Sequence, residues 1–308
     1  MSTLPRRKAL FLVLLALVLT FAACSSAGGA ASPPASPAGS IEPSTAPSTS
    51  PDANAIDHPT GATDIILRYD EGGGFVMASY AATMVPPFTL YGDGTIVFRD
   101  PTIELPPMQG SVGRFNPLRT ARLSEEQIQD VLQLALGEGG LAVARPEYRN
   151  DMIADAGTAI FTVQAGGLTK TVSVYALGLD PAMEGVQDGQ ARAGFAKLAQ
   201  ALTSIEKGGA IAATEYAPPA YRGILMENPG IVDPGMVAWP WDDLAPADFV
   251  IDADPNGLQF PHRTMTSAEI DALGIDGYEG GLQNVTLKGP DGMTYTLSLR
   301  PLLPDEQA

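Results

Sequence analysis

Three times along this chain two short runs of β-forming residues flank a turn that contains glycine, and no other feature constrains the fold as much. Phe88-Thr89-Leu90-Tyr91 and Thr95-Ile96-Val97-Phe98-Arg99 enclose Gly92-Asp93-Gly94. Residues 158–163 and 169–175 enclose Gly166-Gly167, and residues 282–288 and 293–300 enclose Pro290-Asp291-Gly292. In the last pair Val285 and Leu287 oppose Tyr295, Leu297 and Leu299, with Thr and Ser alternating between them. Asp-Gly and Gly-Gly supply the positive φ angles that tight hairpins need, so each pair predicts an antiparallel hairpin. Residues 64–70 and 221–226 predict further strands, and 76–80 a weaker one.

Helices are few and short. Ser124-Glu125-Glu126-Gln127 is a capping box, in which Ser and Gln satisfy each other's backbone N–H groups. Ile128, Val131, Leu132 and Ala135 then follow on one helical face, with Gly137 as the stop. Residues 190–206 predict a second helix, with Phe195, Leu198, Leu202 and Ile205 on its buried side. Thr266-Ser267-Ala268-Glu269 is a second capping box, and its helix stops at Gly274. The fold class expected is therefore α+β: antiparallel, hairpin-built sheets with a few short packed helices. Two lobes are expected, 58–209 and a smaller 210–308. Each contains strand, capped helix and hairpin, which admits a degenerate duplication; repeated use of common α+β units is the alternative.

The first 57 residues obey other rules. Arg6, Arg7 and Lys8 precede an unbroken apolar run, residues 9–19, then Thr20-Phe21-Ala22-Ala23-Cys24. A basic patch, a short apolar run and small residues at the cut define a secretory signal. The run falls short of the roughly 20 apolar residues that a spanning helix needs. Ala22-Ala23-Cys24 resembles the bacterial lipobox, although Phe21 stands where Leu is usual. The resemblance implies a signal peptide over 1–23, with Cys24 as the lipidated first residue of the mature chain. The alternative is an ordinary signal peptide cut near Ala23, with Cys24 incidental. Cys24 is the sole cysteine of 308 residues, so no internal disulfide can form. Acylation would cap a thiol otherwise left free outside the cell. The Arg6-Arg7 pair also fits twin-arginine export, for which Leu10 is suitable and Ala9 is not; ordinary unfolded export is the simpler reading.

Residues 24–57 are rich in Ser, Pro, Ala and Thr, with only Ile41 and Ile56 bulky and apolar. Such a segment cannot bury enough surface to offset its ordering entropy, and it is expected to be a disordered tether. The formal net charge is −17, and loss of the basic leader makes the mature chain more negative still. That excludes nucleic acid and charge-driven adsorption to anionic lipid as partners. The expected partners are the membrane, through the lipid anchor, and an envelope protein or glycan whose identity the residues do not reveal.

Residues 64–176 also resemble an uncharacterised family of exported bacterial domains, through FTLYGDGTIVFR (88–99), Leu123-Ser124-Glu125-Glu126-Gln127 and Asp155-Ala156-Gly157-Thr158. The resemblance implies an α+β fold and no chemistry.

Catalytic signals are sparse. The two histidines, His58 and His262, are far apart and belong to no metal-ligand cluster. There is no Gly-x-Ser-x-Gly elbow, and Gly72-Gly73-Gly74 lacks the Gly-Lys-Ser/Thr of a phosphate loop, so it is expected to be a turn. Asp252-Ala253-Asp254-Pro255-Asn256-Gly257 begins like a calcium loop, but Arg263 stands where the bidentate Glu belongs. No metal and no cofactor are expected. The candidate binding residues are Trp239, Trp241, Asp242 and Asp243, since exposed tryptophan favours a partner or a sugar; packing of both tryptophans over a small core is the alternative. Two functions follow: a non-catalytic envelope binding or assembly module, or an envelope hydrolase using paired carboxylates such as Asp242, Asp243 or Glu269.

Overall fold

The computed structural model describes residues 54–99, 113–114, 116–150, 153–179, 185–207, 209, 211–229, 235–253, 258–275 and 282–306. The expected signal peptide, Cys24, most of the expected tether and residues 254–257 of the calcium-like run lie outside the described residues.

The strands are Ile65–Gly73 (β1), Phe88–Tyr91 (β2), Thr95–Arg99 (β3), Gly113–Arg114 (β4), Leu118–Arg122 (β5), Glu147–Tyr148 (β6), Gly157–Ala165 (β7) and Leu168–Tyr175 (β8). They continue as Thr214–Glu215 (β9), Ala220–Glu227 (β10), Val237–Ala238 (β11), His262–Thr266 (β12), Leu282–Lys288 (β13) and Thr294–Pro301 (β14). The helices are Ala78–Ala81 (α1), Glu125–Leu136 (α2), Gly189–Thr203 (α3) and Ser267–Asp271 (α4). The fold is α+β. One sheet runs β6-β8-β7-β1-β2-β3-β5-β9; the other runs β11-β13-β14-β10-β12, with β4 also on β13. All pairings are antiparallel except β6 with β8 and β11 with β13.

All three hairpins form where their turn residues place them. In the β2–β3 turn Asp93 Oδ1 accepts from Thr95 N at 2.9 Å. Gly94 has φ +89°, and a Cβ there would stand 2.7 Å from the carbonyl oxygen of Leu123, so only glycine fits. Val285 pairs with Leu297 and Leu287 with Tyr295. Both capping boxes close: Gln127 N donates to Ser124 Oγ at 3.3 Å while Gln127 Oε1 accepts from Ser124 N at 2.9 Å, and Thr266 with Glu269 does the same.

Two local expectations differ from the structure. Residues 76–80 form no strand; the chain leaves the sheet through left-handed Gly73 and Gly74, and the run Ala-Ser-Tyr-Ala takes one helical turn instead. The second helix ends at Thr203 rather than 206. Thr203 Oγ1 donates back to Ala199 O at 2.9 Å and Ser204 Oγ to Gln200 O at 2.6 Å, a local bonding pattern that competes with helix continuation.

The first sheet is covered on both faces. Phe88, Leu90, Ile96, Phe98, Phe161 and Val163 pack beneath Ile128 and Leu132 of α2 and Phe195, Leu198 and Leu202 of α3. On the other face Val85, Tyr91, Val97, Leu118, Tyr216 and Leu303 form a smaller core. The second sheet buries Leu225, Met265, Val285, Leu297 and Leu299 with Ile270 and Leu273. Backbone pairing crosses the expected 209/210 boundary in both directions: β9 bonds to β5, and β4 bonds to β13. The hairpins also attach differently. β7, the first strand of its hairpin, lies on β1, whereas β14, the second strand of its hairpin, lies on β10. The two halves therefore differ in which strand of the hairpin meets the preceding strand. At the end of the expected tether, Ile56 N donates to Gln129 Oε1 at 2.7 Å and Gly166 N to Asp57 O at 2.7 Å, so these last residues belong to the domain.

The C-terminal turn locks the smaller core. Asp305 accepts from Arg68 Nη2 at 2.7 Å and from the Tyr91 hydroxyl at 2.5 Å. Glu306 accepts from Arg300 at 2.6 and 2.7 Å and from Leu303 N at 3.0 Å. Burial pushes both carboxyls up, but hydrogen bonds and charge from these partners outweigh it, and both titrate below their ordinary values. A lowered folded value means the stabilisation is complete above the unfolded pKa and is lost as pH falls through the folded one. Glu306→Gln is therefore expected to cost about 1.5–3 kcal/mol at pH 7. It should also flatten the fall of Tm between about pH 5 and 2; an acid limb as steep as in the parent protein would show that the latch does not carry it.

Candidate functional site

At one end of the first sheet the packing runs out. Along β1, β7 and α3 the core is a stack of rings: Tyr69 lies on Phe161 with centroids 5.0 Å apart, and Phe195 meets Phe161 at 5.9 Å and Tyr148 at 4.9 Å. Beyond Tyr69 the same elements carry small residues. β1 continues as Gly72-Gly73, β7 begins Gly157-Thr158-Ala159, the turn after β8 is Ala176-Leu177-Gly178, and α3 faces them with Ala196 and Ala199. Side chains this small cannot fill the space between helix and sheet, and an open cleft of about 540 Å³ remains. That volume lies within the range of small-molecule sites, roughly 300–1,000 Å³.

The cleft walls are held rigidly. The Tyr175 hydroxyl accepts from Ala156 N at 2.9 Å and donates to Ile153 O at 3.0 Å, fixing the loop before β7. Arg192, only 1% exposed, forms no ion pair among the described residues. Its guanidinium donates to five backbone carbonyls: Gln187 at 3.0 Å, Tyr175 at 2.8 Å, Arg149 at 2.8 Å, and Ala176 and Tyr148 at 3.5 Å each. These match the five N–H groups of an arginine. Burial lowers its pKa, but arginine remains charged. Ala176 has φ +54°, a strained conformation for alanine, and is kept there by its N–H bond to Gly157 O at 2.8 Å.

Polar groups in the cleft are few. Among the described lining residues Glu71 carries the only charge. The buried Tyr69 hydroxyl donates to its carboxylate, and burial first, then that hydrogen bond and charge, raise the tyrosine far above its ordinary pKa. Tyr69 therefore stays a donor throughout the physiological range. At the rim, past Gly74, the chain projects Phe75 and Met77, 93% and 74% exposed, and Phe75 N donates to Asp155 O at 3.2 Å. Large apolar side chains this exposed beside an apolar cleft are the pattern of a binding surface.

The residues singled out from the sequence lie elsewhere. Trp239 and Trp241 meet edge-to-face at 5.0 Å within the core of the second sheet. Their indole N–H groups donate inward, to Leu244 O at 2.7 Å and Glu269 O at 2.8 Å. Trp241 is buried and Trp239 half-buried, while Asp242 and Asp243 beside them are exposed to solvent. Glu269 pairs with Arg263 at 2.9 Å and closes its own capping box. Arg263, at the twelfth position of the calcium-like loop, is committed to that ion pair. His58 contacts Pro59 O at 2.7 Å and Glu125 at 3.3 Å, and His262 contacts Phe260 O at 2.8 Å and Asp252 at 3.3 Å. Among the described residues no three His, Cys, Asp or Glu side chains come together as a metal site.

The cleft was reachable in the sequence only through Gly72-Gly73-Gly74-Phe75, a glycine run that delivers an aromatic residue, and through the alanines of α3. The fold and this site define a two-sheet α+β domain with an open apolar cleft at one sheet end. No family model, curated protein or solved structure matches the chain.

Proposed function

We propose that this protein is a non-catalytic cell-envelope lipoprotein. The signal peptide is removed before Cys24, a lipid on Cys24 holds the chain at the membrane, and the Ser/Pro/Ala-rich segment spaces an acidic α+β binding module away from it. Two acyl chains suffice for stable attachment, and among the described residues no helix is long and apolar enough to cross a membrane. The observation that carries the binding reading is the cleft, whose preformed apolar wall, pinned rim and adjoining Phe75 and Met77 suit an apolar ligand or an apolar group of an envelope partner. The placement of Asp242, Asp243 and Glu269 gives the hydrolase alternative no support.

Anchoring is tested by Cys24→Ala. The parent protein is expected in the detergent phase of a Triton partition, with an acylated N-terminal peptide by mass. The variant is expected in the aqueous phase or with its leader uncut. Unchanged partitioning would refute lipidation at Cys24. The binding half is tested by filling the cleft from Ala196.

A further inference from the structure

The chemistry of the cleft narrows its ligand. Its described wall is mostly apolar, contributed by alanines, leucines, Ile153 and Met84, with Tyr69, Glu71 and Thr158 as its polar side chains and no lysine or arginine. A fatty acid or a phosphate-headed lipid would bring an anion to a site without a cation. The arginines bonded to its wall do not supply one: the buried Arg192 spends its guanidinium on backbone carbonyls, that of Ala176 among them, and Arg300 donates to the backbone oxygen of Met84 at 2.9 Å but is held by Glu306. Glu71 stands at the opening, exposed, and among the described residues its carboxylate accepts a hydrogen bond from Tyr69. An ionised carboxylate has about four acceptor sites, so Glu71 keeps capacity for a second donor. The rest of the molecule reinforces this sign of charge, with 35 acidic against 18 basic residues; its field draws cations toward the cleft and repels anions.

Resting on the reading of this cleft as a binding site, we propose that it takes a cationic amphiphile, an alkyl chain with an amine or ammonium head. The chain lies against Ala159, Leu177, Ala196 and Ala199, and the head meets Glu71 at the rim, where it remains partly hydrated. Phe75 and Met77 extend the apolar surface at the mouth for a chain longer than the cleft. Leaving the head in water avoids the desolvation cost of a buried ion pair, while the alkyl chain gains about 0.8 kcal/mol per buried methylene.

The mature protein is titrated calorimetrically with dodecylammonium, dodecanol and dodecanoate, each below its critical micelle concentration. One-to-one binding is expected, with dodecylammonium at least about ten-fold tighter than dodecanoate. Glu71→Gln keeps an acceptor for Tyr69 and should bring the cation down to the affinity of dodecanol, with dodecanol unchanged. Equal binding of all three chains, or a cation preference that survives Glu71→Gln, overturns the proposed ligand class while the cleft still stands as a site. Failure of every chain to bind, or non-saturating uptake of the cation that Ala196→Phe leaves intact, overturns the binding reading itself, since that is adsorption to the acidic surface.

Discussion

Arg192→Met is expected to lower the unfolding free energy by about 3–5 kcal/mol, because three short hydrogen bonds from a charged donor, at about 1.5–3 kcal/mol each, outweigh the cost of burying that donor. The alkyl stem of methionine refills much of the space, so the loss comes from the carbonyls. Those of Gln187, Tyr175 and Arg149 lose part-buried hydrogen bonds of 3.0 Å or less from a charged donor. They belong to the turn before α3, the end of β8 and the segment after β6, and Arg192 gathers all three. For a domain of this size the fall in Tm should be roughly 6–20 °C. Urea unfolding should show a lower midpoint with an unchanged m-value. Arg192→Lys should recover only part of the loss, because an ammonium offers three donors rather than five. A change below about 1 kcal/mol for Arg192→Met would mean that the cleft floor is held by packing alone. The Arg192→Met protein should also bind apolar ligands poorly, because Ala176, strained and lining the cleft, loses one of its restraints.

What the sequence disclosed and what it concealed divide along local and non-local physics. The three hairpins and two capped helices are written in neighbouring residues: Asp93 and Gly94 make their turn whatever lies around them, and Ser124 with Gln127 closes its box within four residues. The two-residue strands β4, β6, β9 and β11 have no such signature, since a pair such as Thr214-Glu215 becomes a strand only because β5 offers an edge. Arg192 is hidden for another reason. An arginine in an amphipathic helix looks solvent-facing, and only the convergence of distant carbonyls places it inside. The Trp239–Trp241 pair is visible in the sequence but its burial is not: the Leu244 and Glu269 carbonyls turn both indole N–H groups inward, burying Trp241 and half-burying Trp239. The cleft is the least legible feature because it is made of missing side chains. Gly72, Gly157, Ala176 and Ala196 are unremarkable singly, and their shared vacancy exists only after β1, β7, β8 and α3 have packed.

The central claim, that this vacancy is a binding site, is tested most directly by closing it. Ala196 lies half-buried on α3 and lines the cleft, so Ala196→Phe sends a ring into open space rather than into packed core. Alanine is the better helix former by roughly half a kcal/mol, and the ring's new contacts offset much of that. The measurement is a fluorescence titration of parent and variant with the neutral apolar probe N-phenylnaphthylamine, alongside urea unfolding of both. The account predicts saturable one-to-one binding by the parent, at least about a ten-fold loss of affinity in Ala196→Phe, and unfolding free energies within about 1 kcal/mol of each other. One-to-one binding of undiminished affinity with the ring in place would put the binding surface elsewhere on the molecule and contradict the account.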